Sequence, residues 1–174
     1  MFSENPLNPG IYYIEPVQHP EFLCHMVYQN GRTIPSAKPS ETLIDTLLLH
    51  TYGTTIKARR TQLKKAHNIH KLGPIIIDER LQFVLFPITV SRQKNAFWVN
   101  LHHVLEFTGD GPDATIIHFN DGSQRSVQAD FTFCEKQFTK ALRVMDRSLK
   151  IKAQSAMYIT QKSAYSWTMN NHYI

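Results

Sequence analysis

The chain has few of the features that announce enzymatic chemistry or an extracellular life. Two cysteines in 174 residues, Cys24 and Cys134, are far apart and without CxxC spacing, so neither a disulfide framework nor a zinc knuckle is expected. The longest apolar runs, such as Leu47–Leu49, Ile75–Ile77 and Phe83–Phe86, are far too short to cross a bilayer. Residues 1–10 are polar and proline-bearing, with neither the basic start nor the apolar stretch of a secretory signal, which leads us to expect a cytoplasmic protein. No glycine-rich phosphate loop, no nucleophile elbow and no HExxH occurs, so neither an enzyme nor a nucleotide cofactor is expected. Nine histidines are present, but His67 and His70 lack carboxylate company at ligand spacing, and no metal site is expected.

The most informative absence is of acid. From Thr46 to Ile77 there is no Asp or Glu, while Lys57, Arg59, Arg60, Lys64, Lys65 and Lys71 all fall there. This stretch alone carries more positive charge than the net +5 of the whole chain. Solvated helix faces normally mix both signs, so an acid-free run points to an anionic partner. A second concentration follows at residues 136–152: Lys136, Lys140, Arg143, Arg147, Lys150 and Lys152 against Glu135 and Asp146. Cations neutralising phosphates release counterions, which makes a polyanion the natural ligand for such clusters.

The hydrophobic content of 42% suits a single core. Strands are expected over Ile11–Val17 and Phe22–Tyr28, with a turn at Asn30–Gly31. Ser40 is a candidate cap for a helix reaching about His50 and stopping at Gly53. A second helix over Thr54–Ala66 would put Lys57, Arg60 and Lys64 on one face and Ile56, Leu63 and Ala66 on the other. Short strands follow at Ile75–Asp78 and Phe83–Phe86. Alternation from Phe97 to Phe107 predicts one long strand with Phe97, Val99, Leu101, His103, Leu105 and Phe107 inward. Asn120–Asp121–Gly122 between Thr115–Phe119 and Gln124–Ala129 marks a hairpin. Thr132 to Glu135 has the spacing of a capping box, opening a helix with Phe138, Leu142, Met145 and Leu149 as its apolar stripe and the cations opposite. The fold expected is α+β, a single domain of mostly antiparallel strands with two or three helices. It divides into a body of residues 1–152 and a low-charge tail of residues 153–174 that either packs loosely or awaits a partner.

Several segments together resemble the ComK competence transcription factors. Tyr52–Gly53 followed by Arg59–Arg60 is similar to that family's Gly-then-basic-pair segment. Gly73–Pro74–Ile75–Ile76–Ile77–Asp78 resembles its Lys-Pro-Pro-Ile segment, with Gly73 where a proline is usual. Val84–Leu85–Phe86–Pro87 and Thr89 resemble its Leu-Phe-Pro-Thr element, with Ile88 inserted. Trp98–Val99–Asn100 with His102 to Val104, and Phe119–Asn120 with Gly122, resemble two further elements in the same order. The likeness spans roughly Leu43 to Leu149.

The resemblance implies a transcription activator of DNA-uptake genes that binds AT-rich boxes on double-stranded DNA, through the minor groove and with bending. It implies a homo-oligomer that assists RNA polymerase, with no membrane role. The family's protease-adaptor segment has only a remnant here, Ala156–Met157–Tyr158–Ile159. The residues expected to contact DNA are Lys57, Arg59, Arg60, Lys64 and Lys65, with Arg143, Arg147 and Lys150 in a second group; Leu85, Phe86 and Trp98 belong to the fold or to a subunit contact. Two alternatives stay open: a diverged regulatory paralogue acting by heteromerisation, and a metal-dependent nuclease built on His102 and His118.

Overall fold

A computed structural model describes residues 6–170, with side chains through residue 162. Its centre is a six-stranded antiparallel sheet. β1 (Ile11–Pro16), β2 (Cys24–Tyr28), β3 (Thr33–Ser36), β4 (Ile75–Asp78), β5 (Phe83–Pro87) and β6 (Trp98–Asn100) lie in the order β3-β2-β1-β6-β5-β4. Both faces of β4, β5 and β6 are covered and every residue of these strands is buried, whereas the edge strand β3 is largely exposed. In β5, Phe83 and Leu85 face one core while Val84 and Phe86 face the other. In β1 a bulge between Ile11 and Tyr13 turns Tyr12 and Tyr13 into the same core.

The first core lies beneath α1 (Ser40–Tyr52), which contributes Ile44, Leu47 and Leu48. Gly53 closes α1 in the left-handed conformation, φ 63°. Ser40 is the first helical residue rather than the cap; its buried hydroxyl donates to the Ala96 carbonyl at 2.8 Å. Next comes α2 (Ile56–His67). Thr55 Oγ1 accepts from the Ala58 amide, and Asp45 of α1 accepts from the Ile56 amide at 2.8 Å, so two amides of the first turn are satisfied from outside the basic run. Ile56 enters the first core and Leu63 the second, which carries α2 past the free edge of β4 and shields it. Ala66, expected inward, is exposed.

The second core is closed by a three-stranded sheet, β7 (Val104–Gly109), β8 (Thr115–Phe119) and β9 (Gln124–Val127), and by α3 (Phe131–Asn170). Thus the expected α+β domain, three helices with antiparallel strands, is what the chain forms.

Three local expectations are corrected. The single strand over Phe97–Phe107 is broken by a 3-10 turn at Leu101–His103, capped by the Asn100 side chain, which accepts from the His102 amide. β6 and β7 therefore join different sheets, and the alternation changes phase: Val104 is buried and Leu105 is 61% exposed. Asp130, not Thr132, caps α3, its Oδ2 accepting from the Phe133 amide at 2.9 Å. The buried face of α3 is Cys134, Gln137, Ala141, Val144 and Met145, while Leu142 and Leu149 are exposed. A buried glutamine inside the true stripe hides it from a hydrophobicity count. Past the body α3 continues as helix; every residue from Leu149 to Lys162 is exposed.

Candidate nucleic-acid interface

Two basic clusters, far apart in the chain, meet on one surface. α2 ends at His67, with Asn68 in the left-handed conformation, and the chain returns through Ile69 to Gly73 into β4. α3 packs beside this return. The tie is Gln137, only 2% exposed, whose Nε2 donates to the Leu72 carbonyl at 2.6 Å and the Pro87 carbonyl at 2.9 Å. Leu72 holds φ 50°, a conformation a branched residue adopts at a cost, and the Gln137 bond secures it. Gly73 is equally constrained: a Cβ there would stand 2.8 Å from Leu63 Cδ1 and 3.0 Å from Ile69 Cγ2. The loop thus runs close against Leu63 of α2 at this glycine.

Two hollows flank Ile69. One, about 310 Å³, is lined by Lys57, Arg60, Lys64 and His70; the other, about 720 Å³, by His67, Lys136, Lys140, Arg143 and Arg147, with Glu135. Spacings of three and four residues from Lys136 through Arg147 stack these cations along one side of α3. Lys57, Arg60 and Lys64 share a face of α2, as the periodicity requires.

The site residues separate by what they touch. Lys57, Lys64, Lys65, Arg143 and Arg147 have no carboxylate within ion-pair distance among the described residues; Lys65 lies exposed on α2, outside both hollows. Arg60 is ion-paired with Glu41, a buried carboxylate of α1. Arg59 is half-buried and turned inward: its Nη2 donates to the Ile77 carbonyl at 3.4 Å, and its Nε is buried without an acceptor. Lys150 pairs with Asp146 at 2.8 Å one turn away, and Lys152 with Glu79 at 3.0 Å.

The electrostatics of the larger hollow follow from this packing. Burial, then the Arg147 charge, holds the His67 imidazole below its ordinary pKa. Burial, then Lys136, likewise lowers the Lys140 ammonium, which donates to Gln137 Oε1 at 2.9 Å. His67, Lys136, Lys140 and Gln137 join the site without being among the contact residues expected from the sequence. Lys136 and Lys140 are legible on the basic face of α3; His67 is not, because nothing local says that α3 will lie against it.

The remaining candidates sit elsewhere. Leu85, Phe86 and Trp98 are fully buried in the two cores. Cys24 and Cys134 are buried free thiols, each pushed up to about 11 by burial. His102 faces Gln82 at 3.2 Å and His118 faces Thr108 at 2.7 Å, so the two histidines of the nuclease alternative have separate partners. Among the described residues no helix is long and apolar enough to cross a membrane.

The fold and this surface define a small α+β domain on which two groups of cations lie side by side. The family model described as ComK protein matches residues 7–157, and the chain belongs to the ComK family, whose members are competence transcription factors rather than enzymes. No curated protein and no solved structure matches it.

Proposed function

We propose that the chain binds double-stranded, AT-rich promoter DNA and activates competence genes, with the joint α2–α3 surface laid along the phosphate backbone. Residues 1–152 form the DNA-binding domain in this reading. The observation that carries it is the convergence of two sequence-distant cation clusters on one surface, with Lys57, Lys64, Lys65, Arg143 and Arg147 unpaired by acid among the described residues. Each phosphate neutralised there releases counterions and adds to the salt dependence of binding. An arginine or lysine from this surface enters the narrow minor groove of an A-tract, where the negative potential is deepest, and DNA bending follows from wrapping toward both helices. Arg59, Arg60 and Lys150 contribute less, since each already has a partner in the fold.

Self-association accompanies DNA binding. α3 beyond the body exposes Ile151, Met157, Tyr158 and Ile159, and residues 153–174 contain a single charge, Lys162; this supports a protein contact there, with another copy or with RNA polymerase.

Fluorescence anisotropy on an A-tract duplex and a GC-rich duplex of equal length, at several salt concentrations, tests the reading. The expected result is tighter binding to the A-tract with a steep salt dependence. Equal affinities would leave a nonspecific cationic protein; no binding to either duplex would reject the proposal.

A further inference from the structure

The hollow between the end of α2 and α3 gathers four cations and an imidazole. Lys136, Lys140, Arg143 and Arg147 line it from α3 and His67 from α2. Like charges this close repel unless something negative lies between them. The one acid present, Glu135, makes no ion pair with any of the four. Ile69, which links this hollow to the smaller one, brings no charge. On its other side His67 borders Arg59, Lys152 and Glu79, and there the carboxylate is already engaged by Lys152. Four cations against the single carboxylate of Glu135 leave this hollow with a net positive charge that no ion pair among the described residues relieves.

We propose that this hollow seats a backbone phosphate of DNA, with His67 as a protonated donor to it alongside Lys140 and Arg147. The inference rests on the DNA-binding reading and deepens it, making proton uptake part of binding.

The sign of the effect follows from the surroundings of the imidazole. In the free protein His67 sits among cations and is partly removed from water, and both effects disfavour its charged form. A phosphodiester carries a full negative charge at any accessible pH. Placed in the hollow, it reverses the local potential and favours the imidazolium. A group with a higher pKa in the bound state than in the free state takes up a proton on binding, so affinity rises as pH falls between the two values. Among the side chains lining this hollow His67 alone is an imidazole, the type whose charge changes near neutral pH.

The test measures duplex affinity for the full chain at about pH 6 and about pH 8, at constant ionic strength, for the natural protein and for His67→Gln. One proton bounds the effect at about tenfold per pH unit; we expect the natural protein to bind severalfold to about tenfold more tightly at the lower pH. His67→Gln should bind with less than about a twofold difference between the two pH values. A second readout, the imidazole titration of His67 followed by NMR with and without the duplex, should show its pKa rising when DNA is added. DNA binding with no pH dependence, or with the same dependence in His67→Gln, or with an unmoved His67 titration, overturns the proposal and leaves the DNA-binding reading intact. Failure of the natural protein to bind DNA at either pH overturns both.

Discussion

Two arginine pairs of this chain, Arg59–Arg60 and Arg143–Arg147, each sit in a basic cluster of the sequence but differ in what the fold places against them. The first occupies the centre of an acid-free run, where local composition makes it the strongest candidate for a phosphate clamp. Yet Arg60 is ion-paired with Glu41, which comes from α1, and Arg59 is directed to the Ile77 carbonyl and lies near Glu79. The second pair has acids beside it in the chain, Glu135 and Asp146, and neither is ion-paired with it; Asp146 is engaged with Lys150 instead. An absence of acid along the chain is therefore not an absence of acid in space. Charge available for a partner depends on which carboxylates the fold delivers, and α1 delivers one to α2.

This contrast can be broken most decisively by removing the unpaired cations together. Lys57→Ala, Lys64→Ala, Arg143→Ala and Arg147→Ala in one chain should weaken DNA binding by about a hundredfold or more near physiological salt. The salt slope should flatten by about one for each phosphate no longer neutralised. Unfolding by urea should be little changed, within roughly 0.5 kcal/mol per site, because none of these side chains is tied to a carboxylate of the fold. A retained salt slope would remove the surface from the mechanism.

Arg60→Ala should instead act on stability. It leaves Glu41, 8% exposed, without its partner, and a loss of about 1–2 kcal/mol is expected, discounted because the guanidinium itself is half in water. Adding Glu41→Gln should recover part of that loss. If Arg60→Ala keeps full stability and lowers the salt slope by about one, the pair binds DNA and the contrast fails.

The smallest effect concerns Glu79. Burial pushes its carboxyl up, but the Lys152 hydrogen bond, a backbone amide bond and the nearby Lys152 and Arg59 charges together more than offset this, so its pKa in the folded chain is lowered from 4.5. A lowered carboxyl stabilises the fold above its unfolded value, and that contribution is lost as pH falls through the lowered folded value. Glu79→Gln should therefore cost less than about 1 kcal/mol at neutral pH, with the deficit vanishing on acidification. Equal stability of the two proteins at every pH would mean that Glu79 does not anchor Arg59 and Lys152.

Much of the fold is legible in the sequence. Helix α2 can be placed within two residues because Thr55, Ile56 and Leu63 carry its cap and its buried face locally. The Asn120–Asp121–Gly122 hairpin is equally clear, with Gly122 at φ 87° and Asp121 Oδ1 accepting from the Ser123 amide. The strand from Phe97 looks continuous because a period-two pattern cannot register a turn that shifts its own phase: Asn100 stops the strand through a side-chain bond. The α3 stripe is hidden because Gln137 is buried for the hydrogen bonds it makes to Leu72 and Pro87, not for its hydrophobicity. The cationic surface is half legible. Its cations are visible in the sequence; its shape, and the place of His67 in it, are not.

What the sequence determined alone was the alphabet of local structure, the excess of cation and the family pattern, since periodicity, capping and composition act over a few residues or over none. What only the tertiary structure decided was which of those cations are free. Coulomb interactions depend on distance through space, and the distances from Arg60 to Glu41 and from His67 to Arg147 exist only after α1, α2 and α3 have packed against the sheets.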